Sequence, residues 1–145
     1  MFSKACQYGI KAVIYVWKQS LNGAKVGAKE AAEFVQAPEP FTAKILQDLV
    51  RKKIIGSQKG PTGGFYVSQE HEKFTLKDLV SAIDGDGLFS GCSLGLTECS
   101  ETNPCPLHND IKKIRGHVIQ MLTKKTMKEI ALEVENGETV LAHLV

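Results

Sequence analysis

Between residues 28 and 67 the chain passes through a helix, a proline-broken turn, a second helix and a glycine-rich hairpin. Few folds accept that order. Residues 28–36, AKEAAEFVQ, place Ala32 and Val35 on one side of a short helix. The stretch APEP at 37–40 then breaks it, because proline has no amide to donate and restricts the residue before it. Helical spacing resumes over 41–52, where Phe41, Ile45 and Leu49 form one row and Leu46 and Val50 another. Ile54 and Ile55, a polar stretch with Gly60, Pro61, Thr62, Gly63 and Gly64, and then Phe65, Tyr66 and Val67 predict a β-hairpin. A hairpin directly behind a helix-turn-helix is a wing. The expected fold is mostly α: a winged helix-turn-helix with a two-stranded wing.

The flanking segments extend this frame. Residues 3–20 predict a helix with two adjoining apolar faces, Ala5, Tyr8, Ala12 and Val16 on one and Ile10, Val13 and Trp17 on the other, ended by Asn22 and Gly23. Two such faces imply burial on more than one side, a second subunit being one candidate cover. Thr75 to Asp78 and Thr126 to Glu129 have capping-box spacing and predict helices reaching about Ile83 and Val134. Asp84 to Gly87 stops the first of these. After Pro106 a long amphipathic segment carries Ile111, Ile114, Val118, Met121 and Leu122, with Gly116 inside it. Trp17 and Met121 read as core. The tail from Asn136, with Val140, Leu141, Leu144 and Val145, reads as a docked strand or a frayed end. Three regions are expected: 1–85 as a winged helix, 86–108 as a loop, and 109–145 as a long helix with its tail.

With 145 residues, 43% hydrophobic and 23% charged, the chain suits one globular domain. Its first apolar stretch, Ile10 to Trp17, is interrupted by Lys11 and lacks a cleavage site, so no signal peptide is expected. No apolar run is long enough to span a bilayer. A cytoplasmic location without membrane contact is the expectation, and there clustered cysteines mean metal or redox chemistry more often than disulfides. No Ser/His/Asp set, paired-carboxylate site or nucleotide loop occurs, and GPTGG lacks the lysine and spacing of a P-loop, so no enzyme is expected.

A net charge of +2 says little, but Lys44, Arg51, Lys52, Lys53 and Lys59 fall close together against Asp48 alone. A solvated face is the plainer account and a phosphate-contacting surface the sharper one. A bare helix-turn-helix does not by itself mean DNA binding; the wing and the local charge favour it. In such modules the early residues of the second helix meet base edges, which here are Thr42, Ala43, Lys44 and Gln47. Gln suits adenine, and Lys suits guanine or phosphate. Pro40 at the first helical position leaves nearby amides open to a phosphate. At the wing tip Lys59, Gly60, Thr62 and Gly63 are the candidate contacts.

Residues 92–108 read CSLGLTECSETNPCPLH. Cys92, Cys99 and Cys105 are spaced C-x6-C-x5-C, and His108 follows at C-x2-H. Three thiolates and an imidazole make a four-donor set, and thiolate-rich sites select iron–sulfur clusters or zinc. The spacing is loose for zinc, which favours paired C-x2-4-C knuckles. An electron carrier also uses cysteine loops, yet needs no wing. His71, His117 and His143 lack ligand spacing. Glu98 and Glu101 flank the loop and could ligate only in an altered state of it.

YGIKAVIYV at 8–16, AKILQDLVRKKII at 43–55, KGPTGGF at 59–65, FTLKDLVSAIDG at 74–85 and the cysteine loop, in that order, resemble the winged-helix iron–sulfur transcription regulators typified by IscR and NsrR. The resemblance covers about Lys4 to Val134. It implies a homodimer on a double-stranded DNA operator, with the helix over 41–52 in the major groove and the long helix after Pro106 crossing its partner's. It implies that Cys92, Cys99 and Cys105 hold the cluster. His108 stands where the IscR branch has its histidine ligand, which points to [2Fe–2S]. Lys59 replaces that branch's arginine, keeping the charge and losing the planar fork. Where the NsrR branch has a carboxylate ligand, this chain has Gln7. Cys6 beside it reads as a buried core residue.

Overall fold

A computed structural model describes residues 1–141. Helix α1 spans Lys4–Leu21, and the Ser3 hydroxyl caps it by accepting the Cys6 amide at 3.0 Å. Both apolar faces of α1 are covered within the chain, because α2 (Ala28–Val35), α3 (Glu39–Arg51), α4 (Leu76–Asp84) and α7 (Met127–Glu135) all pack on it. No second subunit is needed to bury them. The core holds Val13, Val16 and Trp17 of α1 against Leu46 and Leu49 of α3, Leu79 of α4, and Met127 and Ala131 of α7.

The α2–α3 turn is shorter than the APEP stretch suggested. Gln36 ends α2 in the left-handed region at φ 57°, and α3 begins at Glu39. Pro40 therefore lies inside the first turn of α3, where a missing amide breaks no helical bond. Lys53, at φ 61°, swings the chain from α3 toward the wing. Ile54 and Ile55 precede the strand and are buried in the core, so β1 is Gly56–Gln58, paired antiparallel with β2 at Gly64–Tyr66. Val26 adds a further antiparallel bridge to Phe65 through two backbone hydrogen bonds of 2.9 and 2.7 Å. Tight backbone contact explains two glycines in the wing. A Cβ on Gly63 would sit 2.0 Å from the Gln58 carbonyl oxygen, and one on Gly64 would sit 2.8 Å from the Val26 oxygen.

Both capping boxes form. Thr75 and Asp78 close the start of α4, and Thr126 and Glu129 close the start of α7. The two starts are joined by a Thr75–Thr126 bridge and by the Met127 amide donating to the Phe74 carbonyl at 2.9 Å. The segment over 86–108 is not loop throughout, since Gly87–Ser90 form the short helix α5. Helix α6 spans His108–Thr123 and packs on α4 and α5. Of the tail, Val140 is exposed and Leu141 packs against the core, while His143, Leu144 and Val145 lie outside the described residues. Among the described residues no helix is long and apolar enough to cross a membrane.

Candidate nucleic-acid interface and metal centre

Helix α3 divides cleanly into two faces. Thr42, Ile45, Leu46 and Leu49 are buried. Pro40, Lys44, Gln47 and Arg51 are exposed, and Ala43 is half-buried beside them. Lys44, Gln47 and Arg51 recur at i, i+3 and i+7, so they share one stripe. Thr42 does not belong to this surface. It is 1% exposed, and its hydroxyl donates to the Pro38 carbonyl at 3.1 Å. Thr42 is a core residue, turned inward because Ile45, Leu46 and Leu49 set the buried side of the helix. Pro40 also needs correction. It occupies the second helical position, behind Glu39, whose carboxylate lies in the positive first turn. A phosphate there would meet that carboxylate and one amide fewer.

The basic cluster is partly committed. Arg51 is ion-paired with Asp48, and the Lys52 ammonium donates to the Ala82 carbonyl, which turns it toward α4. Lys44, Lys53 and Lys59 remain as exposed cations on α3, its exit and the wing tip. Gly60 and Thr62 are exposed at the same tip, and Gly63 is half-buried.

The cysteine loop runs from α5 to the start of α6. Cys92, Cys99 and Cys105 are free thiols of intermediate exposure. Cys99 Sγ lies 3.4 Å from His108 Nδ1, and His108 is itself buried at the first position of α6. The Cys92 thiol is held below the usual range, chiefly by the Leu94 amide, then by the Leu96 amide, with the Cys105 thiol and the Gly95 amide also contributing. Of the four donors, Cys99 and His108 are in direct side-chain contact. Among the described residues no three His, Cys, Asp or Glu side chains are arranged around one metal position.

Sequence reasoning missed Arg115. Its guanidinium donates to Cys99 Sγ at 3.6 Å and to the Gly91 carbonyl. Its place seven residues after His108, on the same side of a helix, was the available signal. Glu101 is paired with Lys112 and so faces away from a ligand role. Cys6 is fully buried among Val80, Val118 and Leu122. Burial, and secondarily Asp84, push its thiol up to about 12, so it stays protonated as a core residue. Gln7 is exposed and donates to the Phe2 carbonyl. His71 is buried under the wing, and His117 is exposed.

A family model, Rrf2, described as an iron-dependent transcriptional regulator, matches residues 2–133. The chain belongs to the Rrf2 family. A relative from Aquifex aeolicus, assigned as an HTH-type transcriptional regulator, is 29% identical over 133 residues, covering 90% of each chain. The regulator NsrR of Oceanobacillus iheyensis is 21% identical over 140 residues, covering 96% of this chain and 92% of its own. Among solved structures, CymR of B. subtilis, the global cysteine regulator, superposes at TM-score 0.73 with 19% identity, covering 91% of this chain and 96% of its own. IscR of T. potens superposes at 0.72 with 16% identity, covering 97% and 92%. At these identities the superpositions speak for the fold, which is the Rrf2 winged helix. As an Rrf2 member the chain is a DNA-binding transcriptional regulator and not an enzyme.

Proposed function

We propose that this Rrf2 protein is a cytoplasmic homodimer whose hold on its operator is controlled by an iron–sulfur cluster, most simply [2Fe–2S], on Cys92, Cys99, Cys105 and His108. The supporting observation is the contact of Cys99 Sγ with His108 Nδ1 at 3.4 Å, which brings the cysteine loop to the start of α6. The donor set fits the group. All three thiols are free, and backbone amides favour the anionic form of Cys92. The spacing C-x6-C-x5-C-x2-H lacks the paired C-x2-4-C knuckles that a structural zinc favours. When bound, a cluster supplies a charged centre that responds to redox state and to iron supply. Oxygen-free purification, iron and sulfide assay and a visible spectrum test the assignment. A colourless protein carrying zinc would overturn it.

The homodimer reading rests on the outer side of α6. Ile114 and Met121 are 58% and 54% exposed, and Leu107 at the helix cap is 43% exposed. They are spaced by seven, so they form one apolar stripe. Val118 and Leu122 on the neighbouring side are buried within the chain. A second copy crossing its own α6 here covers the stripe without any new surface. Helix α6 then serves as the pairing element, 86–108 as the cluster loop, and 1–85, closed by α7 packed on α1, as the reading head. In each head Ala43, Lys44 and Gln47 of α3 face the major groove, and Lys59, Gly60, Thr62 and Gly63 of the wing tip face the backbone or minor groove. Half-site spacing on DNA is fixed, so a loop that shifts α6 changes how well two heads fit. Footprinting with cluster-loaded and cluster-free protein tests this coupling, and identical protection at equal concentration would sink it.

A further inference from the structure

Arg115 has no role in the proposed ligand set, yet it ties the loop to α6 at two points. One guanidinium nitrogen lies 3.6 Å from Cys99 Sγ, and the other donates to the carbonyl of Gly91, the residue before Cys92. Cys99 also contacts His108, so its sulfur is bracketed by two side chains of the same helix. His108 and Arg115 are seven residues apart, which puts them within about 20° of one direction and about 10 Å apart along the axis. Cys99 reaches back into the interval between them. Among the described residues no carboxylate pairs with Arg115, whereas Lys112 nearby is paired with Glu101. A half-buried guanidinium that lacks a carboxylate, spends one fork on a sulfur and the other on a carbonyl, and cannot lose its proton is a fixed positive charge aimed at the thiolate site.

We infer that Arg115 is a positioning residue of this site: it clamps Gly91 and Cys99 onto α6 and, by donating to the Cys99 sulfur, raises the reduction potential of the cluster the loop holds. The second half rests on the cluster reading above; the clamp does not. The electrostatics give the direction. Reduction by one electron makes the centre more negative, and a nearby cation with an N–H directed at a ligand sulfur favours the more negative state. Removing it lowers the potential. Arg115→Lys keeps a charge but cannot span both acceptors, so it restores part of the potential and little of the clamp.

The experiment uses the full chain in two forms. The loaded protein is titrated with dithionite and followed by visible absorption, comparing native protein, Arg115→Gln, Arg115→Lys and the control Lys112→Gln. The expected result is unchanged iron and sulfide per chain in Arg115→Gln, a lower midpoint potential, partial return in Arg115→Lys and no shift in Lys112→Gln. The cluster-free protein is followed by amide hydrogen exchange over residues 91–99, which should quicken on the order of tenfold in Arg115→Gln, matching loss of about one hydrogen bond to a charged donor. Equal potentials together with equal exchange overturn the inference. Native protein that takes up no iron and sulfide sinks the cluster reading and the potential effect with it, and the exchange comparison then decides the clamp on its own.

Discussion

Two neighbouring residues of α3 divide packing from recognition. Thr42 is buried against Pro38, and Lys44 stands free in solvent. Thr42→Val should lower stability by about 1 kcal/mol through the lost hydroxyl bond, with DNA affinity and its salt dependence unchanged. Lys44→Ala should leave the melting temperature alone, weaken operator binding, and reduce the slope of log affinity against log salt by about 1. Urea unfolding and binding titrations at several salt concentrations check both. His71 offers a pH test. Its Nδ1 accepts the Ser68 amide at 2.9 Å beneath the wing, so it must be unprotonated there. Burial lowers its pKa; Glu70 opposes and Lys73 assists. The folded state thus binds fewer protons than the unfolded one. Stability from this group is complete above the ordinary histidine value of about 6.5 and is lost as pH falls from there toward the lower folded value. Unfolding at pH 7.5 and 5.5 should show a smaller acid-side loss in His71→Gln than in the native chain.

Elements were legible where short-range chemistry set them. Both capping boxes formed as spaced, because the reciprocal bonds involve residues three apart. Thr126→Ala should cost about 1 kcal/mol, read as a lower melting temperature. Elsewhere a neighbour distant in sequence decided. Ile54 and Ile55 looked like strand but are drawn into the core, and the hairpin starts one residue later. Glycine at both ends hid α5. Pro40 looked like part of the break and lies in the following helix, since proline is tolerated in a first turn. At the wing, Gly63→Ala would force a methyl into the Gln58 carbonyl. The hairpin should lose its register there, with operator affinity falling at least tenfold in a mobility-shift titration while the helical circular dichroism stays near native.

For the molecule as a whole, periodicity along α6 showed which residues were apolar but not what covers them. Met121 read as core and is 54% exposed, because Val118 and Leu122 already fill the space against α4. The same limit made α1 look as though it needed another subunit, when α7 returns from the far end of the chain to close it. The cysteine loop stood out in the sequence by its spacing, but the contacts of Cys99 with His108 and Arg115 depend on how α6 lies beside it. If α6 pairs two copies as proposed, Ile114→Glu should leave a monomer in sedimentation with its fold intact, and should raise the protein concentration needed for operator occupancy by about two orders of magnitude, since one head must then bind without its neighbour.

Helix α6 holds His108 and Arg115 on one side and Ile114 and Met121 on another. Those sides are locked in phase by the pitch of the helix. Inserting a single residue after Gly116 would rotate everything beyond it by about 100°, carrying Met121 out of line with Ile114 while His108 and Arg115 stayed put. Side chains along this rod can be exchanged one by one, but its length can change only by nearly whole turns, so descendants of this chain should vary in the loop before α6 far more readily than in the count of residues between His108 and Leu122.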